Sequence, residues 1–353
     1  MNKKLIALGV AAALTAPLAA PLAAQAGVEV YGQARASVDF VNNNAPATAG
    51  EDSVISLSSN ASRLGFKGDE DLGNGLTAMW QLEQGYSVDT GNAFTARDTF
   101  VGLGGGFGTV MLGKLSTPYK NSTGSLDIFS DTRADYNAIM GSVDGAVVFD
   151  NRASNTIAYM TPNMSGFSAA VAYVMAKGAN DDNLSMTSTE SDQDAYSLSG
   201  SYNNGPIFVT AAYESLNAQG AGGDDASAWK IGGSYTIMDA TTVGAIWESA
   251  DVGGSAGDRD AWYLNVAHKM GDTTIKGAIA MADEMGSVTD TGATQFALGV
   301  SQALSKATEV YALYTVVSND ASADYGLISN SSNTLGEDMS AFSLGVNHKF
   351  SSK

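Results

Sequence analysis

From Val28 to the end of the chain, residues suited to hydrocarbon and residues suited to water alternate with a period of two. In the first such segment Val28, Val30, Gly32, Ala34, Ala36, Val38 and Phe40 share one face, while Glu29, Tyr31, Gln33, Arg35, Ser37 and Asp39 share the other. Successive side chains of a β-strand point to opposite faces, so the pattern predicts a strand with one face against an apolar medium and one against water. The same reading predicts sixteen strands, at 28–41, 53–68, 75–87, 96–104, 107–115, 149–160, 166–177, 193–203, 206–216, 227–237, 240–250, 259–270, 273–283, 293–304, 307–318 and 339–350.

The connections between them come in two kinds that alternate. Tight turns are expected at Asp69 to Asn74, Gly105-Gly106, Thr161 to Ser165, Asn204-Gly205, Met238-Asp239, Gly271-Asp272 and Ser305-Lys306. Between them lie longer polar segments such as Asn42 to Asp52, Gly178 to Asp192 and Asn319 to Asp338. Short turns at one end and long loops at the other are the organisation of a transmembrane β-barrel, with the turns on the periplasmic side.

An internal repeat points the same way. Tyr196-Ser197-Leu198-Ser199-Gly200-Ser201-Tyr202 is matched by copies beginning at Trp229, Trp262, Phe296 and Phe342, the first four starts being 33, 33 and 34 residues apart. That period would suit ankyrin or TPR helices. Two-residue alternation inside each copy instead makes every repeat a hairpin, with aromatic ends that suit interfacial girdles.

A strand face surrounded by lipid leaves backbone N–H and C=O groups no water to bond, at several kcal/mol each, so the sheet must close on itself. Sixteen strands enclose a space too wide for side chains to fill, and water occupies it. A soluble β-sandwich shares the alternation but gives no reason for turn lengths to alternate. The fold class expected is therefore all-β, a 16-stranded antiparallel transmembrane barrel.

The first residues add a compartment. Lys3 and Lys4 precede an apolar stretch from Leu5 to Leu14, and Ala24-Gln25-Ala26 closes the segment, as in a secretory signal peptide over 1–26 with the barrel domain at 27–353. Beyond it no apolar run is long enough for a membrane helix. The chain has no Cys, so disulfides cannot stabilise the exported protein. A net charge of −19 argues against a nucleic-acid partner.

Catalytic chemistry finds little support. The two histidines, His268 and His348, stand at the end position of the repeat that Tyr202 and Tyr235 fill in other copies, which reads as girdle and leaves no Ser-His pair and no His-based metal site. Gly104-Gly105-Gly106 is a turn with no helix after it and cannot cradle a phosphate. No catalytic residue, cofactor or metal is expected.

Several segments, in order, resemble the general-diffusion porins of Gram-negative outer membranes. They are Tyr31-Gly32-Gln33-Ala34-Arg35, Ser62-Arg63-Leu64-Gly65-Phe66-Lys67-Gly68 with Gly73-Asn74-Gly75-Leu76, Arg97-Asp98-Thr99-Phe100-Val101-Gly102-Leu103 with Phe107-Gly108-Thr109-Val110, and Leu344-Gly345-Val346-Asn347-His348-Lys349-Phe350. The resemblance implies a homotrimer in outer-membrane lipid and lipopolysaccharide, passing ions and small hydrophilic solutes by passive diffusion. It also implies an assembly signal, Leu344, Val346, His348 and Phe350, read by barrel-assembly machinery. Here Ser351, Ser352 and Lys353 follow the terminal aromatic, a departure from the usual pattern.

In that family the loop after the fifth strand folds into the barrel, and the connection from about 116 to 146 is much the longest here. Its Asp127, Asp131 and Asp135 match the constriction acids, and Arg63, Arg97 and Arg152 match the opposing wall. Alternation alone turns Arg35 inward, and Arg on the lipid face at mid-membrane would cost about 2 to 4 kcal/mol. Arg97 shares its strand face with Thr99, Val101 and Leu103, so its phase stays open. Neutralising Asp127 and Asp131 together is expected to shift ion preference toward anions. The loop acids Asp181, Asp182, Asp192, Asp224 and Asp225 could bind divalent cations or repel anions, but read first as a solvated exterior. Three other functions share such a barrel: a substrate-specific channel, a surface adhesin and an outer-membrane hydrolase.

Overall fold

Among the described residues each barrel strand pairs with the barrel strands before and after it, and the first pairs with the last. The computed structural model describes residues 27–42, 53–92, 94–143, 147–175, 194–217, 224–253, 257–328 and 335–352. The 1–26 segment, Asp181, Asp182 and Asp192 lie outside them. The barrel strands are β1 Glu29–Asn42, β2 Ser53–Ser59 continued as Arg63–Gly73, β3 Leu76–Gly85, β4 Thr95–Gly105, β5 Gly108–Ser116, β6 Arg152–Met160, β7 Phe167–Val174 and β8 Ala195–Asn204. The second half comprises β9 Ile207–Leu216, β10 Ala226–Ile237, β11 Thr241–Asp251, β12 Asp258–Met270, β13 Thr273–Ala282, β14 Ala293–Ala303, β15 Thr308–Asn319 and β16 Met339–Ser351. The sixteen expected strands are all present.

Closure runs antiparallel from Tyr31 opposite Ser351 to Asn42 opposite Ser340. Leu344, Val346, His348 and Phe350 all lie on the outward, exposed face of β16. The Phe350 ring lies against Gly32 of β1, where a Cβ would stand 2.6 Å from it and 2.3 Å from the Arg63 carbonyl oxygen. Only glycine permits that approach. Past Phe350 the seam continues: Ser352 N–H donates to the Val30 carbonyl at 2.9 Å, and the Ser351 hydroxyl donates to Glu29 at 2.8 Å.

Alternation sorts the side chains as the sequence implies. Val38, Phe40, Leu198, Ile231, Leu264 and Leu298 point outward and are exposed. The repeat aromatics form cross-strand ring pairs along the loop end of the wall: Phe40 with Phe342, Tyr173 with Tyr196, Tyr213 with Trp229, and Trp247 with Trp262. At the turn end His268 and His348 each place Nδ1 on a threonine hydroxyl, Thr241 at 2.8 Å and Thr308 at 2.9 Å.

Two local departures shape the wall. Strand β2 extends to Gly73, so Asp69 to Asp71 are paired residues, and the turn is confined to Gly73-Asn74-Gly75, with positive φ at all three. The same strand breaks at Asn60 to Ser62, where Ala61 has φ +53°. There the Ser62 hydroxyl accepts from Arg35 N–H at 2.9 Å and donates to the Arg35 carbonyl at 3.0 Å, so a side chain replaces the interrupted ladder.

One side of the interior is packed. Leu126, Phe129, Ile139 and Met140 from the connection between β5 and β6 bury against Ile246, Tyr263, Leu313 and Val317 of the wall, beside small inward residues such as Ala278, Ala280 and Ala297. Tyr325 and Leu327, from the last loop, join the same cluster. The open lumen is thereby confined to the remaining side.

Candidate pore constriction

The inward connection is built locally before it is held by the wall. Its first helix, α1 Pro118–Thr123, starts with Thr117 capping Lys120 N–H at 3.2 Å and with proline at the first position, where its missing N–H costs nothing. A 3₁₀ turn at Tyr136–Ala138 follows, capped by Asp135. A small hairpin pairs Ser142–Val143 with Val147–Val148.

Two acids of this loop are spent on shaping it. Asp127 accepts from Phe129 N–H at 2.9 Å, Tyr136 N–H at 3.3 Å and the Tyr263 hydroxyl at 3.3 Å. Asp135 accepts from Asn137 N–H at 2.9 Å and Asp131 N–H at 2.8 Å. Both are buried. Burial, with Asp135 close by, pushes the Asp127 carboxyl well above the usual carboxylate range, and burial raises Asp135 to about 6. Neither is brought to the lumen with the arginines.

Asp131 is the loop acid that meets the basic wall. Its backbone adopts φ +59°, a conformation Asp tolerates better than most residues. Its carboxylate lies 3.4 Å from Arg63 Nη1 and 3.9 Å from Arg35 Nη1. Arg35 also donates to the carbonyls of Ser130 at 2.6 Å and Asp131 at 3.1 Å. Because Asp131 and Arg63 keep about a quarter of their side-chain surface exposed, this pair holds little energy and leaves its charges facing water.

The remaining arginines meet wall acids that sequence reading did not single out. Arg97 Nε donates to Glu83 at 2.5 Å, and Glu83 also accepts from the Tyr31 hydroxyl at 2.9 Å. A register shift resolves the phase of Arg97: Leu82 pairs with Thr99 but Gln84 pairs with Ala96, so β4 carries one extra residue opposite Glu83. Such a bulge re-aims side chains. Arg97 thus escapes the outward parity of Thr99, Val101 and Leu103. Arg152 Nε stands 3.1 Å from Asp98 Oδ1, off the hydrogen-bond direction, as an ion pair; Asp98 accepts instead from Ser116 N–H at 2.5 Å.

The loop tip is pinned by Arg133, also absent from the sequence reading. Its Nε donates to Asp39 at 2.9 Å, Nη2 to the Ser58 hydroxyl at 2.7 Å and Nη1 to the Ile328 carbonyl at 2.8 Å. One buried guanidinium ties the tip to β1, β2 and the last loop. No periodicity marks such a residue, since it sits in a loop and its partners are remote in sequence.

The two shaping acids carry a pH prediction. A carboxyl raised above its ordinary value stabilises the fold fully below that ordinary value, and the contribution is lost as pH rises through the raised one. For Asp135 the loss falls between about pH 4 and about 6. Amide hydrogen exchange across residues 127–140, corrected for intrinsic rates, is expected to show stronger protection at pH 5 than at pH 7.5. Asp135→Asn is expected to flatten that difference.

Residues 9–322 match the family model described as Gram-negative porin. The major outer membrane protein P.IB of Neisseria gonorrhoeae is 35% identical over 177 residues, 49% of this chain and 48% of that protein. Its counterpart from Neisseria meningitidis serogroup B is 33% identical over 213 residues, 59% of this chain and 57% of that one. The matched stretch spans about half the length of these curated relatives. Among solved structures, the anion-selective porin from Comamonas acidovorans superposes with a TM-score of 0.75 at 27% identity, over 92% of this chain and 100% of that chain. Salmonella typhi OmpF, solved with daunomycin, has a TM-score of 0.68 at 17% identity over 92% and 98%, a likeness of fold alone. An inward loop facing a wall of arginines inside a closed sixteen-stranded barrel, together with a family match over most of its length, places this chain in the Gram-negative porin family.

Proposed function

We propose that the protein is a passive diffusion channel of the outer membrane for ions and small hydrophilic solutes, with a waist between the inward loop and the wall of β1 to β6. The observation that carries this is the partly exposed ladder of Arg35, Arg63, Arg97 and Arg152, each beside a carboxylate. Opposed charges across a narrow opening order water and dipolar solutes without holding them, and the opening sets a size limit. Four cations there stand against three carboxylates, Asp131, Glu83 and Asp98, because Arg35 and Arg63 share one partner. The waist therefore favours small anions, as the name of the Comamonas acidovorans neighbour states for that protein. The chain's net charge of −19 does not oppose this, because ion preference follows charges at the waist. A substrate-specific channel would need a tight site and an adhesin no open lumen; the ladder, partly open to water, supports neither. A hydrolase would need a base beside a nucleophile, and both histidines lie on the outer wall.

A homotrimer belongs to the same proposal. Aromatic pairs line the outer wall on β7 to β12 and at the β16–β1 seam, whereas among the described residues β2 to β5 form none. Their outward face carries Gln84 and Thr99 among its apolar residues. Such a face suits a neighbouring subunit better than lipid. The N-terminal segment 1–26 is proposed as the export signal. Purified protein in a planar bilayer is expected to give discrete, non-saturating conductance in groups of three equal steps, with an anion-preferring reversal potential in a salt gradient. Saturable flux, or no conductance, would reject the general diffusion channel.

A further inference from the structure

We infer that Lys230, a wall residue out of reach of the lumen, is a positioning residue that sets the ion preference of the waist through the loop. Resting on the channel reading above, the inference concerns how that waist is held. Lys230 projects inward from β10 and is fully buried. Its ammonium contacts the Asp150 carboxylate, lies 3.5 Å from Glu248, and stands 4.1 Å above the Tyr119 ring of α1.

Each of these partners holds a different part of the loop. The other Asp150 oxygen accepts from the Tyr136 hydroxyl at 2.7 Å and from Asn137 Nδ2 at 2.8 Å, and the Asp150 carbonyl accepts from Lys120 at 2.9 Å. Glu248 accepts from the Tyr119 hydroxyl at 2.9 Å, from Gly141 N–H at 2.8 Å and from Arg259 at 2.5 Å, while Arg259 reaches the Ile139 carbonyl at 2.9 Å. The helix, the 3₁₀ turn and the loop exit thus converge on one buried cation. Lys230 and Arg259 are thus the buried countercharges of two acids, Asp150 and Glu248.

From this knot a short path leads to the waist. Asn137, bonded to Asp150 by its side chain, is bonded by its N–H to Asp135, and the other oxygen of Asp135 holds the N–H of Asp131. Asp131 is the carboxylate that Arg35 and Arg63 share. Low-dielectric burial makes the knot stiff and its loss costly, because a buried acid cannot find water once its partner is gone. Removing Lys230 frees the far end of that path and lets Asp131 leave the arginines.

Single channels of Lys230→Met and Lys230→Arg, beside wild type and Asp131→Asn, test this. Lys230→Met is expected to raise open-channel noise and to move the reversal potential away from the wild-type value, with Lys230→Arg restoring most of it. If Lys230→Met fails to form a barrel, Lys230→Met with Asp150→Asn removes the charge pair together and keeps an acceptor for Tyr136 and Asn137. A folded variant of either kind with wild-type noise and wild-type reversal potential overturns the inference. Absence of conductance in the wild type would overturn the channel reading instead.

Discussion

Replacing Arg63, Arg97 and Arg152 together by Gln is expected to reverse the sign of the zero-current potential in a salt gradient, turning an anion-preferring pore into a cation-preferring one. At present four arginine cations face three carboxylates; afterwards Arg35 alone faces Asp131, Glu83 and Asp98. The effect is large because these arginines keep part of their surface open to water, so their charges act on a passing ion. It depends on ionic strength. At about 0.1 M the Debye length is about 10 Å, and at 1 M about 3 Å, so the reversal is expected in dilute salt and is damped in concentrated salt. Asp131→Asn is expected to act oppositely, increasing anion preference by freeing Arg35 and Arg63 of their shared partner. Asp127→Asn, whose carboxylate is turned into the loop, is expected to leave ion preference unchanged in a folded pore. A triple variant that kept the wild-type sign would place the waist elsewhere.

Arg133→Met is expected to destabilise the folded channel by about 3 to 5 kcal/mol, the cost of leaving a buried charge without its partner. Asp39 is fully buried, and Arg133 is the cation paired with it. The three bonds of the guanidinium diverge to β1, β2 and the last loop, a geometry a lysine ammonium cannot reproduce, so Arg133→Lys is expected to recover little. Asp39→Asn in the Met background removes the stranded charge and is expected to recover more than half of the loss. Urea unfolding of the reconstituted protein reads the stability. Loss of less than about 1 kcal/mol in the single variant would show that the ion pair is not the anchor of the loop tip.

Arginine positions illustrate how far a period of two carries. Arg35 and Arg63 are turned inward by alternation, and both reach Asp131. For Arg97 alternation fails, because an extra residue in β4 shifts the phase locally and no feature of Arg97-Asp98-Thr99 announces it. The acids divide for a related reason. Asp127, Asp131 and Asp135 are alike as sequence, equally spaced by four, yet two of them are consumed by backbone N–H groups that become available only once the loop has folded into its 3₁₀ turn. Lys230, Glu248 and Arg259 stand in strands whose charges look like ordinary lumen residues, and only the docked loop converts them into buried partners.

The sequence by itself determined the strand number, the facing of nearly every wall residue, the alternation of turns and loops, and the girdles. These follow from the solvent that each side chain meets, which is a local matter repeated every second residue. Tertiary structure alone decided where the broken ladder at Asn60 to Ser62 falls, which loop acid keeps its charge in the lumen, and what holds that loop in place. Those depend on contacts between groups distant along the chain, whose charge and burial are set only when the barrel has closed around its loop.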